Sequence, residues 1–228
     1  DVVGNQPAAL ISYPVELKDK LAPDEVQGLK ASSLATGLAL EWTLPQNDDL
    51  YQLRLYVNGN KVADLDAGAT RYELSALQPH TAYSVRLSSV DTSSNESKGA
   101  QGSYVTLLDN PSAVKAEGQD SKAAVSWQAV TPAQCVAGYR LYVSETAFSS
   151  VAGMTPRVAV AANTLSAFVP GLTNDKSYFV AVTTLNSSGG ETPQVVPVEV
   201  KPKADNQGPE IVSVLWNNKV LAEAGAWS

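Results

Sequence analysis

The chain writes one strand twice. Leu53-Arg54-Leu55-Tyr56-Val57-Asn58 returns as Tyr139-Arg140-Leu141-Tyr142-Val143-Ser144, with a Trp 12 residues before the first Arg (Trp42) and 13 before the second (Trp127). Leu77 and Tyr83, six apart, return as Leu172 and Tyr178 at the same spacing. A period of roughly 85 to 95 residues is too long for a solenoid unit and fits a duplicated small domain. A length of 228 residues alone allows one or two domains. The repeat decides for two, with segments left over at both ends.

Each copy reads as strand, turn, strand. Leu38, Leu40 and Trp42 alternate with Ala39 and Glu41, and Tyr51, Leu53, Leu55 and Val57 alternate with Gln52, Arg54 and Tyr56. Period-two alternation gives a strand with one apolar face. Asn58-Gly59 follows at once as a hairpin signal. Tyr83, Val85 and Leu87 alternate in turn, and Tyr104 to Leu107 ends the copy. Seven short strands with turns every 8 to 12 residues predict an antiparallel sandwich. The second copy keeps this order from Ala113 to Val200 but is longer by nine residues between its Arg and its Tyr. The surplus falls around Glu145 to Arg157, which is expected to be an enlarged loop or one turn of helix.

These residues carry a resemblance. The combination of Gly28-Leu29-Lys30-Ala31, Trp42, the Arg-Leu-Tyr-Val strand, Gly171 to Tyr178 and Asn186-Ser187-Ser188-Gly189-Gly190-Glu191-Thr192 resembles tandem fibronectin type III modules of a bacterial or phage surface or secreted protein. It covers residues 24–107 and 108–202. The resemblance implies an all-β chain of two seven-stranded immunoglobulin-like sandwiches. It also implies that Tyr83 and Tyr178 turn their hydroxyls back to the backbone of the preceding turn. Residues 1–23 are then an N-terminal extension or the end of a preceding domain, with one strand at Ala8 to Tyr13. Residues 203–228 are a linker and the start of a truncated third β domain, in which Glu210 to Trp216 and Lys219 to Leu221 form a hairpin. A lone hairpin is marginal in water, so this one is expected to dock. The start at Asp1 without Met suggests a processed or trimmed chain.

Several functions are excluded or made remote by composition. A net charge of −7 gives no basic stripe for nucleic acid or an anionic membrane, and no apolar run reaches the length of a membrane span. The single cysteine, Cys135, rules out an intrachain disulfide. It lies in a different domain from the single histidine, His80, so no Cys–His catalytic pair is expected. His80 reads as an exposed turn residue and Cys135 as a half-buried small hydrophobe. No catalytic residue, metal site or cofactor is expected. The remaining oxygen-ligand candidates, Asn47-Asp48-Asp49, Asp64 with Asp66, and Asp205, lack EF-hand spacing and read as turn formers. Asn95-Glu96-Ser97 and Asn186-Ser187-Ser188 match an N-glycosylation pattern in equivalent loops, where polar turn residues are expected anyway.

Aromatic residues offer the best route to binding. Trp42 and Trp127 stand in inward register and are expected in the cores. Tyr56 and Tyr142 stand in outward register and, with Trp216, are the candidate ligand-facing aromatics. The expected function is a non-enzymatic spacer and interaction segment of a larger extracellular modular protein. Its partners would be neighbouring domains of the same polypeptide and a glycan or surface protein. Leu108-Asp109-Asn110-Pro111 is a short linker that ends in Pro, which would limit bending between the modules. The alternative is a carbohydrate- or protein-binding adhesion module, accessory to a polysaccharide-degrading enzyme or phage tail protein. A third reading is a subunit that assembles by strand exchange, residues 1–23 completing the fold of residues 208–228 in a neighbour.

Overall fold

A computed structural model describes residues 18–205 and the backbone of two strands at 213–216 and 219–223. The expected strand at Ala8 to Tyr13 lies outside the described residues. Among the described residues, 18–31, 39–73 and 83–103 belong to one compact unit, and 32–38, 74–82 and 104–205 to a second.

The first repeat has seven strands: β1 (Gln27–Leu34), β2 (Gly37–Thr43), β3 (Leu50–Val57), β4 (Asn60–Asp66), β5 (Arg71–Leu74), β6 (Ala82–Asp91) and β7 (Ala100–Val105). They form a three-stranded sheet in the order β1-β2-β5 and a four-stranded sheet in the order β4-β3-β6-β7. The alternation legible in the sequence is the alternation of burial. Leu53, Leu55 and Val57 of β3 and Val85 and Leu87 of β6 are buried, while Arg54, Tyr56 and Arg86 between them are half-buried on the opposite face. β3 and β4 meet through Asn58 and Gly59, both at positive φ (50° and 81°). Two left-handed residues give the tight primed turn whose twist matches the flanking strands.

The second repeat follows the same plan with β8 (Lys115–Gln119), β9 (Lys122–Ser126), β10 (Val136–Ser144), β11 (Val158–Ala161), β12 (Ser166–Pro170), β13 (Tyr178–Asn186) and β14 (Val198–Val200). Its sheets run β12-β9-β8 and β11-β10-β13-β14. Val125, Trp127, Tyr139, Leu141, Val169, Leu172, Val180 and Val182 pack into one buried cluster. The extra segment at Glu145 to Arg157 is a loop and contains no helical turn. The helical turn lies elsewhere, a 3-10 turn at Ala133–Cys135. It carries Cys135 into the core at 2% exposure, so the thiol is fully buried, not half-buried as its place in a turn suggested. The last two strands, β15 (Ser213–Trp216) and β16 (Lys219–Glu223), pair antiparallel as a two-stranded sheet.

Two glycines of this framework differ in what they do. Gly59 supplies a positive φ with open space around it, whereas a Cβ on Gly138 of β10 would run into the Val160 carbonyl oxygen of the neighbouring β11. Gly138→Ala should therefore lower stability in urea unfolding by roughly 1–3 kcal/mol through overpacking. Gly59→Ala should cost only about 1 kcal/mol from backbone strain. Equal losses for the two variants would contradict the close approach at Gly138.

Candidate functional site

The outward residues of the long central strands converge on a single carboxylate in each repeat. In the first, β3 and β6 pair so that Arg54 faces Ser88 and Tyr56 faces Arg86. The loop after β6 turns back through a bridge between Val90 and Glu96, which lays the Glu96 side chain over these four. Arg54 Nη1 donates to Glu96 Oε2 at 2.8 Å. Tyr56 Oη, Ser88 Oγ and Arg86 Nη1 donate to Oε1 at 2.9, 2.6 and 3.2 Å. The Arg86 guanidinium also lies 3.6 Å over the centre of the Tyr56 ring, a cation–π contact. Asp64, opposite Arg54 on β4, completes the set with Oδ1 3.5 Å from Arg54 Nε.

The second repeat builds the same hub. Glu191 returns through a bridge with Leu185. Arg140 Nη1 donates to its Oε2 at 2.6 Å, Tyr142 Oη donates to Oε1 at 2.8 Å, and Thr183 Oγ1 donates to the same oxygen. Above this loop the Asn186 side chain accepts from the Ser188 and Gly190 N–H groups at 3.0 and 2.7 Å and holds the turn closed. Tyr142 is 3% exposed.

These hubs correct the reading of Tyr56 and Tyr142 as ligand-facing rings. Both hydroxyls are spent on a carboxylate of their own repeat. The Tyr56 ring is covered by Arg86, and Tyr142 is buried. Trp216 lies on β15, where its side chain is outside the description. Trp42 and Trp127 are each 5% exposed. Trp42 Nε1 donates to the Ala69 carbonyl at 2.7 Å, and Trp127 meets Tyr139 edge-on at 5.4 Å. Tyr83 is buried, and Tyr178 Oη accepts from the Thr173 N–H at 3.0 Å, back toward the preceding turn. Glu96 and Glu191 were not among the candidate site residues. Their signal was the Arg-x-Tyr pair on a strand followed by one acid in the equivalent turn of each copy.

Two further features stand apart from the hubs. Asp19, Asp49 and Asp91 bring one oxygen each to within 4.8 Å of one another, a set of hard ligands that could hold a divalent cation. Asp91, however, already accepts from the Asn95 backbone and side-chain N–H groups at 2.7 Å each. Burial pushes this carboxyl up, but the bonds from Asn95 and the neighbouring backbone outweigh it and hold the group below the usual range. It works as a turn closer. Asp64 is likewise engaged, by Arg54 and by Lys61 at 2.7 Å. On the three-stranded sheet of the second repeat, Phe168 is 55% exposed, with Lys122 Nζ 4.6 Å above its ring. It edges a shallow cleft of about 260 Å³ with Lys115, Glu117 and Ser166. The alternation of Phe168 with buried Val169 could have marked this ring as outward.

With this geometry in place, residues 24–105 match the family model of the fibronectin type III domain. That match spans the first repeat. Among solved structures, the FN1–FN3 domains of chicken CNTN1 superpose with a TM-score of 0.53 at 18% identity, over 80% of this chain and 68% of that one. A two-domain fibronectin type III segment of chicken tenascin aligns at 22% identity over 78% and 99% of the two chains, with a TM-score of 0.38. The Clostridium perfringens spore cortex lytic enzyme SleM aligns at 23% identity over 38% and 28%, with a TM-score of 0.34. No curated protein matches in sequence. The likeness to the CNTN1 domains shows that the fold is that of fibronectin type III, immunoglobulin-like sandwiches.

The first hub has a pH signature. Burial pushes the Glu96 carboxyl up, but the donors from Ser88, Arg54, Tyr56 and Arg86 prevail and hold it at about 2, against an ordinary 4.5. A depressed carboxylate stabilises the fold fully above its unfolded pKa and loses that contribution as pH falls through the folded value. The difference corresponds to roughly 3 kcal/mol at neutral pH. Glu96→Gln should therefore destabilise the first repeat at pH 7 by roughly 2–3 kcal/mol. It should also flatten the domain's stability between about pH 4.5 and 2. Amide NMR signals of residues 24–105, followed through urea unfolding at each pH, would read both effects. An unchanged pH slope would remove Glu96 as the titrating group.

Proposed function

We propose that this chain is a non-enzymatic structural and interaction segment of a larger extracellular modular protein, in which the two repeats set the distance between other domains. The observation that carries this reading is the closure of each polar cluster on itself. Glu96 accepts four donors and Glu191 three, all from their own repeat. Catalysis needs the opposite, charged groups left short of partners and aimed at a cavity where a substrate can complete them. Here the ionisable residues fasten a loop to a sheet and stiffen the module. Fibronectin type III domains are typically structural or interaction modules of multidomain proteins and are commonly extracellular, which supports the same role. The short linker before Pro111 favours restricted bending.

The second reading, a carbohydrate- or protein-binding adhesion module, is favoured by the exposed Phe168 ring beside Lys122. An aromatic face flanked by a cation suits a sugar ring or a peptide.

Small-angle scattering of the chain separates a spacer from a loose tether. One extended envelope that does not change with ionic strength is expected. Freely pivoting modules would overturn the spacer role.

A further inference from the structure

The two hubs are alike in their carboxylate and unlike in what surrounds their Arg. In the first repeat the Arg54 guanidinium lies between two carboxylates, Glu96 Oε2 at 2.8 Å and Asp64 Oδ1 at 3.5 Å. Asp64 is the residue opposite Arg54 on β4. In the second repeat Arg140 pairs with Glu191 at 2.6 Å, its one ion pair among the described residues. The residue opposite it on β11 is Ala159, which is exposed. The side chain of Arg140 is also more open than that of Arg54, at 35% against 27%. The second repeat thus keeps the fork and lacks the second acid, and Ala181 stands where the first repeat has a second cation, Arg86.

The extra loop of the second repeat builds a wall beside this fork. Val151 donates its N–H to the Pro193 carbonyl at 2.9 Å, Val195 donates to the Ser149 carbonyl at 3.0 Å, and Ser150 bridges Gln194. Between loop and sheet lies a cleft of about 360 Å³, lined by Arg140, Tyr142, Val151, Met154, Glu191 and Pro193. The first repeat lacks these extra residues.

We propose that this cleft is a docking site for an acidic side chain of a partner polypeptide. The partner's carboxylate reaches Arg140 from the cleft as a second acid, the part that Asp64 plays for Arg54 in the first repeat. This rests on the interaction half of the function proposed above. A guanidinium offers five donors in a planar fork that fits a carboxylate, and in the first repeat a second carboxylate stands at ion-pair distance from the same fork without a hydrogen bond. A cation is disfavoured, because Glu191 is 13% exposed and its oxygens accept from Arg140, Tyr142 and Thr183. The walls favour a peptide over an acidic sugar. Val151, Met154 and Pro193 give aliphatic contact, Met being adaptable, while buried Tyr142 presents no open face for a sugar ring to stack on. With the chain at a net charge of −7, such binding is weak and sensitive to salt.

The test is an NMR titration of the full chain at low ionic strength with two probes, acetyl-Asp-Leu-amide and, separately, glucuronate. The single methionine makes the Met154 methyl an unambiguous reporter, and the Arg140 Nε–H reports the fork. The peptide should shift both signals saturably, with a Kd on the order of 1 mM, and leave the Arg54 Nε–H unmoved. Ala159→Asp, which supplies the missing acid internally, should weaken binding by about tenfold or more, whereas Ala159→Asn should retain it. Four results would each overturn the proposal: no saturable shift, equal responses at Arg54 and Arg140, equal loss in the Asp and Asn variants, or glucuronate binding as tightly as the peptide. Any of them would leave the scattering test of the spacer role untouched.

Discussion

The constraint on which the rest depends is the two-residue period of an extended chain. Side chains on a strand point alternately to opposite faces, so every residue committed to the core commits its neighbours to the outer surface. In β3 this sends Leu53, Leu55 and Val57 inward and presents Arg54 and Tyr56 outward side by side. β10 does the same with Leu141 between Arg140 and Tyr142. One geometric rule builds both the core and the polar platform behind it. A slip of one residue in register would bury the Arg and expose the core leucines together.

Onto that platform each repeat folds an acid from the loop after its second long strand. The carboxylate is half-enclosed and would be costly to leave unpaired, yet it gathers donors from two strands at once. The loop is thereby tied to the middle of the sheet. Distance along the chain separates the partners, 42 residues between Arg54 and Glu96 and 51 between Arg140 and Glu191. The bonds form only once both strands and the turn are in place, so they reward the complete fold and not its parts. The carboxylate recurs in both repeats while its outer surroundings differ, which allows one repeat to serve as a physical control for the other. Arg86 over Tyr56 has Ala181 at the equivalent register, opposite Tyr142, and Asp64 has Ala159.

Much of this was legible in the residues. The Asn58-Gly59 hairpin, the inward Trp42 and Trp127 and the seven-strand order of each copy follow from local chemistry: positive φ in a tight turn, and period-two alternation. The outer-face site was legible only in half. Tyr56 and Tyr142 were correctly outward, but their direction says nothing about what covers them. A loop that returns over a sheet leaves no periodic trace, because its position depends on turn geometry and on contacts many residues away. Cys135 shows the same limit, since a turn position on paper became a core position when a 3-10 turn folded it inward.

By itself, then, the sequence determined the all-β class, the recurring strand pattern and the face to which each strand residue points, because these are properties of consecutive residues. Only the tertiary structure decided that Glu96 and Glu191 are the centres of the outer face, and that Arg54 is held by two acids while Arg140 is held by one beside an open cleft. Those facts are set by cross-strand register and loop return, which bring together residues that no local pattern connects.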